Sequence, residues 1–247
     1  MNNKYYLMSE AESTREKRIV GYPIYFDYDL VNCNRDDWKD GCVLQCQQKI
    51  IEFRVKNPKI SFDLANTSLN NFFFSNILWE VICDYQSWDL NFKKVDFYGK
   101  DKKRVSTKDY VVACFKNRYD KERRYIDRLK SLYIVPNYKR NRRAILIKPY
   151  LNYDILNLFD VLPSEFSYSS DSLIVSEKLK NDERLKNTKL SFTPIEDIAE
   201  LLMFKNNGIA QEYFRVKDLD NLKKQEPISG KELLNNGYKN GKKITVW

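Results

Sequence analysis

A chain of 247 residues, 43% hydrophobic and 14% aromatic, is long enough to bury a real core and too apolar to be disordered. Its 43 Lys and Arg against 34 Asp and Glu give a net charge of +9, and it contains no histidine. That removes Ser-His-Asp and Cys-His nucleophile activation, the His general base and every His-containing metal site.

Lys4 to Met8 reads as a short edge strand, followed by a polar connection. The apolar centre of the N-terminus is too short for a signal peptide, and no apolar run reaches the ~18 residues of a transmembrane helix. A cytoplasmic protein is expected. Tyr22 to Tyr28 predicts a strand or extended loop with Pro23 near its start. Asn32 to Gly41 is turn-rich, with Trp38 as its anchor. Five cysteines, Cys33, Cys42, Cys46, Cys83 and Cys114, cannot all pair, so reduced thiols are expected. Cys42 and Cys46 are four apart, but a metal site needs more ligands. No cofactor or metal is expected.

Ile51, Phe53 and Val55 alternate with Glu52 and Arg54, the pattern of a half-buried strand. Phe72 to Tyr85 predicts a helix with Ser75 as N-cap and Ile77, Leu78, Val81, Ile82 and Tyr85 on one face. Leu90, Phe92, Val95 and Phe97 predict a strand with a slip or bulge at Lys93-Lys94. Tyr110 to Phe115 is a strand by β-propensity. Asp120 is placed to cap a short basic helix through Lys130, with Ile126, Leu129 and Tyr133 inward. Pro136 to Asn141 is a turn and Ala144 to Ile147 a buried strand.

Tyr150 to Asp160 reads as strand or loop. Leu173 to Leu179 reads as a strand entering a helix capped by Ser176, and Leu190 to Ile195 as another strand. The order apolar run, Ser, helix, Leu-x-Phe thus occurs twice, at Ser75 with Leu90 and at Ser176 with Leu190. Either two related αβ units packed together or a chance match follows, and not a solenoid, because two repeats are too few. Asp197 to Phe204 predicts a helix stopped at Asn206-Asn207-Gly208, Gln211 to Val216 a strand, and the rest a polar extension. The expected whole is one compact α+β unit with mixed and antiparallel sheets. It divides into a β-rich segment 1–58, an αβ core 59–196 and a C-terminal helix with extension 197–247.

The charge is uneven. Lys100 to Lys148 holds 17 Lys and Arg against 5 Asp and Glu, leaving 26 basic and 29 acidic residues elsewhere. Tyr110, Phe115, Tyr119, Tyr125, Tyr133 and Tyr138 are interleaved there. Such a segment fits an acidic protein partner or nucleic acid, and also an ordinary solvated face. No phosphate-binding glycine pattern is present. The acids at Asp36-Asp37 and Glu196-Asp197 sit where turns and helix starts place acids anyway. No enzymatic activity is expected.

Three stretches carry a resemblance to a known family. Ser75-Asn76-Ile77-Leu78 opens a helix. Tyr110-Val111-Val112-Ala113-Cys114-Phe115 is followed by Tyr125-Ile126-Asp127-Arg128-Leu129-Lys130-Ser131. Ile155 to Phe159 leads to Leu173-Ile174-Val175-Ser176-Glu177-Lys178-Leu179-Lys180 and Leu190-Ser191-Phe192. Over residues 60–196 this order resembles the Imm11-like immunity proteins of bacterial polymorphic toxin systems, with Asn187-Thr188-Lys189 where that family often has a glycine. The resemblance implies a protein that neutralises one toxin domain by stoichiometric binding in interbacterial competition. Its partner would carry an acidic contact surface. Arg123, Arg124, Tyr125, Arg142 and Arg143 are the expected contacts, being the residue types that carry interface energy. A nucleic-acid-binding protein using the same basic region is the alternative.

Overall fold

The computed structural model describes residues 3–10, 28–33, 47–56, 59–66, 71–116, 120–134, 145–166 and 172–198. The expectations for Tyr22–Asp27, Asn34–Gly41, Cys42, Cys46, Pro136–Asn141, Arg142, Arg143 and everything after Ile198 lie outside them. The protein is α+β, with short helices and mixed sheets, and its chain divides into two compact units. The first takes the described residues up to Asp120, 157–164 and 172–192. The second takes those of 121–156, 165–166 and 193–198.

Unit one is built on two sheets. The larger runs β2(Tyr28–Leu30), β3(Ile50–Val55), β6(Leu90–Tyr98), β7(Tyr110–Phe115), β5(Phe72–Ser75), β4(Leu64–Asn66). Only β3 and β6 pair in parallel; β2 with β3, β6 with β7, β7 with β5 and β5 with β4 are antiparallel. Period-two alternation sends Ile51, Phe53, Phe73, Val95, Phe97, Tyr110 and Val112 into one core. Phe53, Phe73 and Phe97 meet there with centroids 5.2–5.6 Å apart. On the opposite face Phe74 stacks on Trp79 of the helix α1(Asn76–Cys83) at 5.8 Å, and Trp79 meets Phe92 at 4.6 Å.

The smaller sheet runs β10(Val161–Pro163), β11(Leu173–Ser176), β1(Tyr5–Glu10), β12(Leu190–Pro194). The first strand is therefore interior, not an edge. Tyr5 to Met8 are all buried, a run without alternation because both faces are covered.

Three further expectations need correction. Phe72 to Ser75 is a fully buried strand, so the helix starts only at Asn76. Leu78, Val81 and Ile82 are its buried face, whereas Ile77 is exposed. Strand β6 has no slip at Lys93-Lys94: its register with β7 is unbroken from Leu90 to Val95. Its apolar pairs change phase because they serve different faces, Val95 and Phe97 the core and Phe92 the α1 side. Residues 121–130 form turns, not a helix.

The duplicated pattern has a shared structural device. β4 and β5 form one antiparallel hairpin, β10 and β11 another. In the first, Ser75 donates its N–H to Asp63 O at 2.9 Å and its hydroxyl to Asp63 Oδ1 at 2.8 Å. In the second, Ser176 does the same to Asp160, at 2.9 and 2.6 Å. Each serine then starts a helix, α1 or α3(Glu177–Lys180). The strand after each helix lies beyond an intervening strand: β7 separates β5 from β6, and β1 separates β11 from β12. Ser176 caps α3 by accepting from Leu179 N–H at 3.3 Å. Ser75 stands at the N-cap position but makes no cap bond, its hydroxyl being committed to Asp63.

Unit two contains a two-stranded sheet of β8(Leu132–Ile134) and β9(Ile145–Lys148), and the short helix α2(Tyr153–Leu156). The chains at Ile126 and Leu151 make an antiparallel bridge. Ile195–Asp197 is a single 3-10 turn.

Candidate partner-binding surface

The basic segment is shared between the two units. Of its 17 Lys and Arg, 12 are described, six in each unit. Several are occupied within the fold. Arg104 pairs with Asp96 at 3.2 Å and with Asp109, and Lys108 with Asp63. The interleaved aromatics Tyr110, Phe115 and Tyr125 are buried, so their rings are not offered for stacking.

What unit two builds is an open hollow of about 990 Å³. Its floor is two chain segments held side by side. Asp127 N–H donates to Tyr150 O at 2.9 Å, and Asn152 N–H to Tyr125 O at 2.7 Å. Ser131, fully buried, donates its hydroxyl to Asp127 O at 2.6 Å and accepts Tyr150 N–H at 2.8 Å. The Asp127 carboxylate accepts the N–H groups of Leu129 and Lys130 at 3.0 and 3.2 Å. That local turn chemistry replaces the expected helix and turns Leu129 outward. Leu129 is 57% exposed and Tyr150 44%. The Lys130 ammonium sits 4.9 Å above the Tyr150 ring, a cation–π contact that holds both in place.

Glu165 organises the arginines. Its Oε1 accepts Tyr125 N–H at 2.8 Å, and its own N–H donates to the Tyr125 hydroxyl oxygen at 2.9 Å. Arg128 Nη2 donates to Glu165 O at 3.0 Å, and Arg124 Nη1 lies 3.8 Å from Glu165 Oε2. Burial pushes the Glu165 carboxyl up from its ordinary pKa, opposed by the Tyr125 N–H and by Arg124 and Arg128. Arg124 and Arg128 also line the hollow, with Lys121 and Lys130 and the acids Glu122, Asp127 and Asp154. Four cations against three carboxylates is nearly balanced. Directed guanidinium donors, not bulk charge, distinguish this surface.

Of the expected contact residues, Arg124 lines the hollow and Arg123 is half-buried beside it in sequence. Tyr125 is buried, so it supports the surface from beneath rather than meeting a partner. Arg142 and Arg143 lie outside the described residues. Leu129 and Tyr150 are exposed side chains of the hollow that the sequence pattern misses. Asp127, two residues before Leu129, is the available signal, since an Asp carboxylate that accepts the N–H groups two and three residues on forms a local turn that competes with a helix interior.

Unit one holds a second titratable cluster. Glu10 Oε2 accepts the N–H groups of Asp63 and Leu64 at 3.0 and 2.9 Å. Asp63, buried, accepts from Lys108 Nζ, from the Ser75 hydroxyl and from Lys189 N–H at 2.9 Å. Burial raises the Glu10 carboxyl from 4.5 to about 7. Asp63 goes the other way: its hydrogen bonds from Lys108, Lys189 and Ser75 outweigh burial and lower it. Carboxyls driven apart in this way sometimes mark acid–base pairs. Here the acceptor positions are taken by backbone and side-chain donors from four segments, and the cluster is a structural knot.

Among the described residues, no group of three or more Cys, Asp or Glu is placed to hold a metal ion, and no helix is long and apolar enough to cross a membrane. No known family model matches the chain, and no curated protein matches it.

Proposed function

We propose that this protein is an immunity protein that neutralises a cognate bacterial toxin domain by direct stoichiometric binding. The observation that carries this reading is the assembled anchor set of unit two. Leu129 and Tyr150 stand exposed beside two guanidiniums held by Glu165, Arg128 on its backbone carbonyl and Arg124 beside its carboxylate. Exposed aromatic and Arg side chains fixed by their own fold lose little entropy on binding, which is what concentrates interface energy. The stretches that carry the family resemblance also support it. Ser75 and Ser176 each stand at a strand-to-helix junction, and Tyr110–Phe115 is a strand. An acidic contact surface on the toxin complements Arg124 and Arg128.

The test is to co-express the C-terminal domain encoded immediately upstream of this chain with the protein itself. Co-purification of a complex with a fixed ratio, together with rescue of growth, is the expected result. A harmless neighbour that does not bind overturns the proposal. A salt titration with nucleic acid then tests the other partner class, whose affinity would fall steeply with salt.

A further inference from the structure

The larger sheet of unit one has one face only partly covered. The helix α1 packs against β5 and β7. Since Ile51, Phe53, Val95 and Phe97 point into the core, the alternate residues of β3 and β6 point to the α1 side. On that side, among the described residues, three large apolar side chains are exposed. Val31 is 45% exposed, Ile50 42% and Phe92 52%.

These three form a diagonal. Val31 donates its N–H to Glu52 O at 3.0 Å, continuing the β2–β3 register in which Leu30 faces Phe53. Ile50 faces Lys94 across the parallel pair, and Glu52 faces Asp96. Each row is one strand over and two residues along from the next. The stripe therefore runs Val31, Ile50, Phe92, and ends on Trp79, which leans on Phe92. An exposed apolar run of this kind marks an interaction site.

The flank of the stripe identifies its occupant. Beside Ile50 lie Glu52, towards the Val31 end, and Lys94, towards the Phe92 end. Neither has an ion-pair partner among the described residues. A two-fold axis passing through Ile50 across the stripe brings Ile50 onto its own symmetry mate and Phe92 over Val31. The same rotation sets Lys94 of each copy against Glu52 of the other. Apolar stripe and charges are both matched by that single operation, the requirement of an isologous interface.

We propose that a second copy of this chain docks on this face, forming a two-fold dimer centred on Ile50. The proposal is independent of the toxin-binding reading, which concerns unit two.

The test is sedimentation equilibrium on the purified full chain and three variants, each checked for folding by circular dichroism. The wild type is expected to dimerise. Ile50→Asp places like charges on the axis and is expected to give a monomer. Lys94→Glu opposes Glu52 and should raise the dissociation constant at least about tenfold. Glu52→Lys combined with Lys94→Glu restores opposite charges across the axis and should recover dimerisation to within a few-fold. If Ile50→Asp does not fold, the charge-swap pair decides alone. A wild type that stays monomeric at about 1 mM overturns the proposal. So does a dimer indifferent to these substitutions, or a double variant no better than the single.

Discussion

Replacing Glu10 by Gln should change how stability depends on pH, in a direction the structure fixes. Glu10 uses one carboxyl oxygen to accept both Asp63 N–H and Leu64 N–H. Gln offers an oxygen in the same place, so both bonds are kept. What Gln removes is the proton equilibrium. In the folded protein burial holds the Glu10 carboxyl at about 7, against 4.5 in an ordinary setting. Below 4.5 both folded and unfolded chains carry the proton, and the buried carboxyl costs nothing extra. Between 4.5 and about 7 the unfolded chain releases its proton while the folded chain keeps it, so stability falls as pH rises. The gap of 2.5 pH units corresponds to about 3 kcal/mol at full burial. Glu10 is partly exposed, and solvent screening reduces this to about 1–2 kcal/mol.

The amide of Glu10→Gln mimics the protonated carboxyl at every pH. The variant should therefore match the wild type at pH 4 and exceed it by about 1–2 kcal/mol at pH 8. Removing the charge also relieves the repulsion that Asp63 exerts on it, which acts in the same direction. Other shifted groups, Glu165 and Asp182 among them, titrate alike in both proteins and cancel in the difference. Urea unfolding of the two proteins at pH 4, 6 and 8 reads it directly. Two parallel pH profiles, or a variant weaker at pH 8, would refute the account of the cluster.

The two junction serines should differ on truncation. Ser176→Ala loses both the α3 cap and the bond to Asp160 and should cost about 2–3 kcal/mol. Ser75→Ala leaves Asp63 still bonded to Lys108 and Lys189 and should cost about 1 kcal/mol; urea midpoints of the two variants compare them. Phe97→Ala removes the ring that touches Phe53, Phe62, Phe73 and Tyr110 and should cost about 3–5 kcal/mol by the same measure. On the proposed toxin-binding reading, Arg128→Glu should slow association with the domain encoded upstream and weaken protection, read by stopped-flow kinetics and growth rescue. Unchanged kinetics would remove the unit-two surface from the interface.

Elements are legible in the sequence wherever burial is one-sided or turn chemistry local. Ile51, Phe53 and Val55 alternate because β3 has one covered face there, and Ser176 sits where a cap is needed. Phe72-Phe73-Phe74 reads as the lead into a helix because a strand covered on both faces has no period. The phase change in β6 resembles a bulge for a related reason: the strand spends its apolar residues on two faces in turn. The candidate surface is harder to read. A helix over 121–130 would put Leu129 on the inner face, whereas the Asp127 turn points it outward. Tyr125 looks like an anchor by residue type, and only its bonds with Glu165, 40 residues away, show that it is a support. The Glu10–Asp63 knot joins residues 53 apart, which no local pattern encodes.

The repeated Asp–Ser device explains why so few long-range signals suffice. Each copy begins with an Asp and ends its hairpin with a Ser opposite it, so one residue pair fixes the hairpin register and the start of the helix together. A slip of one residue would break the backbone and the side-chain bond at once and turn every side chain over. The copies differ in what the helix must bury. Leu78, Val81 and Ile82 give the eight residues of α1 a packed face, while α3 buries only Leu179 and stops after four. The stop is set by Asp182, which accepts from Arg184 N–H and starts a 3-10 turn. The strand inserted between hairpin and return strand comes from later in the chain in one copy, β7, and from the N-terminus in the other, β1. The Asp–Ser pair is thus the mechanical part that both copies share, and the helix length and the source of the third strand are what each copy varies around it.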